Sequence, residues 1–445
     1  MTRTCAVFLC LILHCLAAED EAALLKDIAK NMREGRQEAL AGLKDLHSEK
    51  AADFVLSVVS SNRVGGGMKA RLAEIVAAWP ATAPGRKTLF DWLVKHPNCG
   101  DDELLFYTGI HLPGARSFFW AQIEQAKGEV SKIKNPQRVA MAIQGLGFFE
   151  DNPDVVVERI GALLHVDSPH VIRACAADSL GGMKHPKAVD ALIPHVEDEA
   201  VGARAVRSLY RLTGQHFDAD PARQWAAWRA ANAAIGFKMH TTADFDNFLK
   251  LQALLKPADD AAMNMSTFYG IDVRGKGILF ILDVSGSMTI DDRISKLRAQ
   301  MGNILIILES RPEKLRYGIL TFGDRIDSCF PRGIADNKGE NRRKAQRFVD
   351  DLRADGGTPM VEALTHAMKK VLPDANLDTI FFLSDGQPSD GTPEMVLDLT
   401  RQIHQRFQVR FNTISIGEDA PQAFGEQTLL QQMAALTGGI FTQPK

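Results

Sequence analysis

Ile278-Leu279-Phe280-Ile281-Leu282-Asp283-Val284-Ser285-Gly286-Ser287 is the stretch on which the reading of this chain turns. Five consecutive apolar residues predict a strand buried on both faces. The run stops at a carboxylate, and two hydroxyls follow it at two-residue spacing. A second run of the same kind, Thr379 to Leu383, ends at Ser384-Asp385-Gly386, and Gly356-Gly357-Thr358-Pro359 precedes a helix between the two. In an open α/β sheet, ligands sit outside the carboxyl ends of the strands, at a topological switch point. Asp283, Ser285, Ser287, Thr358 and Asp385 can converge there. All are hard oxygen donors, suited to Mg2+, Mn2+ or Ca2+ and unsuited to a soft metal.

Outward from this core, strands and helices alternate. Helices are expected over Arg293 to Leu308, Glu340 to Leu352, Val361 to Val371, Pro393 to Arg406 and Phe424 to Leu436. Strands are expected over Arg316 to Phe322, Val409 to Ile416 and Gly439 to Thr442. Arg325 to Phe330 reads as an antiparallel edge strand after a turn at Gly323-Asp324. The alternation predicts a doubly wound, Rossmann-like α/β sheet with helices on both faces.

An Asp-x-Ser-x-Ser run, then a Thr, then an Asp, in this order and on these elements, closely resembles the metal-ion-dependent adhesion site (MIDAS) of the von Willebrand factor A (VWA) domain family. The resemblance covers residues 275 to 445. It implies strand order 3-2-1-4-5-6, with strands one and four flanking one divalent cation, most simply Mg2+. It also implies that Ser285, Ser287 and Thr358 bind the ion through hydroxyls, while Asp283 and Asp385 act through water or hydrogen bonds. Neutral direct ligands leave such an ion undercompensated. Its open position would then take an Asp or Glu presented by a protein partner.

Other readings of these residues fail on spacing. In an EF-hand register the glycine position holds Met288 and the final acidic position holds Ile294. Val284-Ser285-Gly286-Ser287-Met288 lacks the outer glycines of a hydrolase elbow. Asp291 and Asp292 read as an N-cap for the helix starting near Arg293, and Asp390 as a solvated loop carboxylate. The histidines show no His-Glu-x-x-His spacing, and His366 and His404 read as helix-surface side chains.

Residues 20 to 235 read as stacked helices. Glu21 to Leu46 carries Leu24, Leu25, Ile28, Met32, Leu40, Leu43 and Leu46 at helical spacing, and shorter helical pieces cover Leu72 to Trp79 and Leu89 to Val94. Gly65-Gly66-Gly67 lacks the ending of a phosphate loop and reads as a turn. Between 136 and 214, Ala140, Leu146 and Gly147 recur at Ala174, Leu180 and Gly181. Pro153 recurs at Pro186. A unit this size cannot bury its apolar face alone, so stacking is implied. The segments Ile172 to Gly181 and Val201 to Gly214 resemble HEAT-type repeats, though the period is shorter than usual for that family; an irregular helical domain is the alternative. Asp220 and Pro221 open a last helix whose Trp225 and Trp228 would cover the end of the stack.

Arg3, the apolar run Cys5 to Leu16 and the small pair Ala17-Ala18 have the layout of a secretory signal peptide. A lipid anchor at Cys15 fits poorly, since His14 stands where a small residue is expected. The expected organisation is a signal peptide over 1–18, a HEAT-like helical domain over 19–234, a connecting segment over 235–274 and a VWA domain over 275–445. No other run reaches transmembrane length, so a periplasmic, extracellular or cell-surface product is expected.

Of 445 residues, 45% are hydrophobic and 24% charged, enough apolar material for packed cores. A net charge of -3 gives no bulk attraction to nucleic acid or anionic membrane. Three of six cysteines fall in the first fifteen residues, which excludes a disulfide-stapled scaffold. Two function classes follow: a non-enzymatic adhesion or binding module gripping an acidic partner, or an accessory subunit of an enzyme system that recruits substrate or assists metal-centre assembly. No general base with a suitable partner is visible for direct hydrolysis. A catalytic assay and an affinity capture separate the classes.

Overall fold

The computed structural model describes residues 21–32, 37–61, 64, 66–125, 133–215, 217, 220–233, 267–417 and 427–444. The expected signal peptide and most of the expected connecting segment lie outside them. The chain divides into two compact units, Met1–Ala126 with Gln144–Phe148, and Lys127–Ile143 with Phe149–Lys445.

The first unit is helical. After a helix over residues 21–32 come α1 (Glu49–Val59), α2 (Gly66–Ala77), α3 (Pro84–Lys95), α4 (Asp101–Gly109) and α5 (Arg116–Gln125). Within the stretch from Glu21 to Leu46 that reads as helical, Gln37–Lys44 is wound as a 3-10 helix. Leu40 and Leu43 are both fully buried, and three residues per turn put positions three apart on one line. Pro84 opens α3 at its first turn. Arg86, buried two residues on, donates to the carbonyls of Val76 (3.0 Å) and Ile110 (2.7 Å). It thus satisfies the ends of α2 and α4, where helix carbonyls have no partner of their own.

The second unit begins with helical pairs: α6 (Pro136–Leu146, whose last turn belongs to the first unit), α7 (Asp154–Ala162), α8 (His170–Leu180), α9 (Pro186–Leu192), α10 (Gly202–Thr213) and α11 (Pro221–Ala231). Like helices stack: α7 packs on α9, and α8 on α10. The small residues make this possible. A Cβ on Gly181, at the end of α8, would stand 2.5 Å from Ser208 Oγ on α10. Gly181 is itself in ordinary right-handed conformation, so close packing, not a left-handed turn, requires it. Asp220 stands at the N-cap of α11 but makes no capping hydrogen bond. Trp225 is fully buried and meets Phe217 edge-on.

The strands are β1 (Thr267–Phe268), β2 (Ile271–Asp272), β3 (Gly277–Asp283), β4 (Arg316–Phe322), β5 (Ile326–Ser328), β6 (Ala335–Asp336), β7 (Thr379–Ser384), β8 (Arg410–Ser415) and β9 (Phe441–Thr442). β1 and β2 form a hairpin. The main sheet runs β5-β4-β3-β7-β8-β9, with β6 also on β4. Counting β3, β4, β5, β7, β8 and β9 as strands one to six, this is the expected 3-2-1-4-5-6 order. β3 pairs in parallel with β4 and β7, Phe280 opposite Ile319 and Phe381. β5 is the expected antiparallel edge, Phe322 opposite Ile326.

The helices around the sheet are α12 (Arg293–Glu309), α13 (Gly339–Asp350), α14 (Met360–His366), α15 (Pro393–Phe407) and α16 (Leu429–Thr437). α14 widens into a π turn over Ala367–Val371. Every residue of β3 and β7 is buried because both faces are covered. Ile278, Phe280 and Leu282 pack with Leu297, Met301 and Ile304 of α12. Leu279 and Ile281 pack with Leu364, Ile403 and Met433 of α14, α15 and α16. Burying one such side chain contributes roughly 1.5–3 kcal/mol.

The helical pairs meet the sheet at the amino ends of its strands. The His170 backbone N–H donates to Asn376 Oδ1 (2.6 Å), just before β7. Arg204 donates to Gln408 Oε1 and to its carbonyl oxygen, both at 2.9 Å, just before β8. Arg204 also pairs with Asp178. The carboxyl ends of the strands, on the opposite edge, are where the predicted donors lie. Among the described residues no helix is long and apolar enough to cross a membrane.

Candidate metal centre

Backbone hydrogen bonds lace the loop after β3 to the end of β4 and to the loop before α14. Val284 N–H donates to Phe322 O (2.8 Å), Asp355 N–H to Val284 O (2.7 Å) and Gly286 N–H to Gly356 O (3.0 Å). This brings Thr358 to the mouth between β3 and β7. Its N–H donates to Ser389 Oγ (2.9 Å), and its carbonyl accepts from Ser389 N–H (3.0 Å). A Cβ on Gly386 would stand 3.7 Å from Thr358 Oγ1, which places that hydroxyl beside the Asp385 loop.

Asp283 ends β3 with no exposed surface. Its Oδ1 accepts from Ser285 N–H (2.8 Å) and its Oδ2 from Ser384 Oγ (2.5 Å). Among the described residues no basic side chain pairs with it. Burial pushes its pKa up to about 6, against the lowering effect of the Ser285 and Ser384 hydrogen bonds, and the Asp385 charge raises it further. Ser285 Oγ lies 3.0 Å from Ser287 Oγ. Ser287 Oγ donates to Asp385 Oδ1 (2.8 Å), and Arg293 Nη1 donates to Asp385 Oδ2 (2.9 Å).

All five sequence-predicted residues therefore stand at one end of β3 and β7. Three more belong with them and escape a reading by motif: Ser384, Ser389 and Arg293. Ser384 carries a faint signal, a hydroxyl at the end of a buried apolar strand. Ser389 and Arg293 carry none, because their partners are distant in sequence. Asp390, expected as a solvated carboxylate, is exposed but accepts from Val361 N–H (3.1 Å) and Glu362 N–H (2.8 Å) and so satisfies the first turn of α14. Asp292 occupies the N-cap of α12, yet its side chain makes no capping bond. Asp291 and Asp292 both have positive φ, 51° and 56°, a conformation that costs a residue with a side chain roughly 1–3 kcal/mol. His404, expected on the helix surface, is half-buried: its Nδ1 lies 2.9 Å from the Val409 carbonyl, and burial lowers its pKa to about 4.

The donor set fits a hard divalent cation. Metal–oxygen bonds of ~2.1 Å at right angles put neighbouring oxygens ~3.0 Å apart, which is the Ser285–Ser287 separation. A buried carboxylate with no basic partner supplies the matching negative charge. Among the described residues no three His, Cys, Asp or Glu side chains form a metal cluster.

With fold and donors in place, the class is clear. Residues 276–442 match the family model for the von Willebrand factor type A domain, and this part of the chain is a VWA domain. Solved structures similar to it include a von Willebrand factor type A protein from Catenulispora acidiphila (21% identity, 38% of this chain and 38% of that one, TM-score 0.32). Another is the proximal thread matrix protein 1 of the mussel byssus with a zinc-occupied MIDAS motif (20%, 38% and 41%, TM-score 0.29). A third is the manganese-loaded TRAP protein of Plasmodium vivax (21%, 38% and 68%, TM-score 0.26). This chain spans well under two thirds of the first of these proteins.

Proposed function

We propose that this chain is an exported, non-enzymatic binding or adhesion protein whose VWA domain, over 275–445, holds one divalent cation and docks an acidic residue of a protein partner. Ser285, Ser287 and Thr358 offer hydroxyls to the ion. Asp283 and Asp385 balance its charge through hydrogen bonds and water. The ion, Mg2+ or else Mn2+ or Ca2+, supplies a Lewis-acidic position for a partner's Asp or Glu. Residues 19–234 form a HEAT-like helical scaffold, residues 235–274 connect it to the VWA domain, and residues 1–18 direct export and are removed.

One observation carries the reading. Asp283 is a wholly buried carboxylate with no basic partner among the described residues, beside two hydroxyls set at ligand-to-ligand distance. The docking of the helical pairs at the other end of the sheet supports it, since that leaves the carboxyl ends of β3 and β7 to a partner. Calorimetric Mg2+ titration tests it, with and without an acidic peptide, on wild type and Asp283→Ala. Wild type is expected to bind Mg2+ weakly and more tightly with peptide, and the variant not at all. Equal metal affinity in the two proteins would remove the assigned site, and peptide capture that survives chelation would remove the mechanism.

A further inference from the structure

Arg293 stands at the first residue of α12, where the helix dipole disfavours a positive charge. Its side chain is only 13% exposed, and it reaches a carboxylate that is not exposed at all, Asp385. The slot that holds it is built for it. A Cβ on Gly417 would come within 2.8 Å of the Arg293 guanidinium carbon, and Gly417 has a φ of 123°, so a side chain there is excluded twice over. With Oδ1 taken by Ser287 and Oδ2 by Arg293, Asp385 has both oxygens engaged by protein donors.

Resting on the function proposed above, we propose that Arg293 is a positioning residue that fixes the ligand preference of the site. It holds Asp385 out of direct contact with the cation and offsets its charge. With the solvent-exposed Asp291 carboxylate, 3.9 Å from Arg293 Nη2, set aside as screened by water, Asp283, Asp385 and Arg293 carry one net negative charge without a cation; a divalent cation turns this to one net positive charge. That residual charge makes the loaded site select an incoming carboxylate over water or a neutral oxygen. Without Arg293 the two carboxylates neutralise the ion, Asp385 is free to approach it, and metal affinity rises while carboxylate affinity falls. A residue with a merely structural role would lower both.

The test uses Mn2+ as the metal and acetate as the carboxylate, on the full chain, read by water-proton relaxation. Mn2+ titration gives metal affinity, and the loss of relaxation on adding acetate reports displacement of bound water. Arg293→Gln is expected to bind Mn2+ on the order of tenfold more tightly and acetate severalfold more weakly, because a unit charge close to the ion is lost from a poorly screened site. Arg293→Lys, which keeps the charge, is expected to stay near wild type on both. Asp385→Asn removes the opposite charge and moves both constants the other way, so it decides the matter if Arg293→Gln does not fold. Mn2+ affinity that is unchanged or weaker in a folded Arg293→Gln, or acetate binding unaltered in Asp385→Asn, overturns the role of Arg293 and leaves the metal reading standing. A wild-type protein that binds no Mn2+ overturns both.

Discussion

The two ends of one sheet differ in what surrounds their buried polar groups. At the amino ends, protein partners answer one another: Arg204 serves Gln408 and Asp178, and Asn376 accepts from the His170 backbone. At the carboxyl ends, Asp283 is just as deeply buried, and its donors come from Ser285 and Ser384, with no basic side chain pairing with it among the described residues. A satisfied buried network fixes a geometry. An undercompensated one is a place where something else binds. Burial alone does not mark a functional site: Asp378, buried at the amino end of β7 with no ion pair among the described residues, is met by Lys276 N–H, Gly277 N–H and the Thr379 hydroxyl, whereas Asp283 stands beside further oxygen donors at a mouth between two strands.

Acid should break the amino end first. Burial lowers the pKa of His170 to about 3, with the Arg204 charge adding to the effect, and that of His404 to about 4, again with Arg204. Arg173, Arg207 and Arg410 also disfavour a charge on one or other imidazole, while Asp178 favours one on His404. Folded pKa values below the unfolded value of ~6.5 mean that the unfolded chain binds more protons in acid. The stability contributed is present in full above pH 6.5 and declines as pH falls toward 4 and 3. Chemical denaturation across that window should show the decline, and replacing both histidines with glutamine should flatten it; an unaltered slope would show that the junction is not what acid attacks.

Arg204→Ala should come next, costing roughly 2–4 kcal/mol by leaving the Gln408 carbonyl and Asp178 short of donors. The same denaturation experiment reads it. Metal affinity at the far end should not change, and a parallel loss of Mg2+ binding would mean that the two ends are coupled.

Asp283→Asn should act in the opposite sense. The raised pKa of Asp283 means that its charged form opposes folding above pH 6 when no cation is bound. In chelator at pH 7.5 the variant should therefore be more stable than wild type by about 1–3 kcal/mol. Adding Mg2+ at ten times its dissociation constant should stabilise wild type by about 1.4 kcal/mol and leave the variant unmoved. A variant less stable in chelator would show that Asp283 is a structural carboxylate.

The smallest effect belongs to Thr358→Ala. One neutral hydroxyl is lost at a loop that backbone bonds hold in place. Mg2+ affinity should fall severalfold, with the melting temperature in chelator unchanged; a large drop in that temperature would give Thr358 a folding role instead.

The strand order came only as what the VWA resemblance implies; the sequence by itself determined the alternation of strands and helices and the five polar positions at the ends of β3 and β7. These are local signals: an apolar run long enough for a strand, a period of 3.6 in the helices, and oxygen donors at fixed spacing after a strand. Helix ends were less legible. The 3-10 turn over Gln37–Lys44 and the uncapped Asp292 arise because core packing and loop closure outweigh local preference there. Only the tertiary structure decided which side chains answer which. Ser384 reaches Asp283 across 101 residues, and Arg293 reaches Asp385 across 92. His404 and Gln408 lie on a helix end that reads as surface until the helical pairs cover it. Charge balance in a buried site is a sum over neighbours in space, and no spacing along the chain encodes that sum.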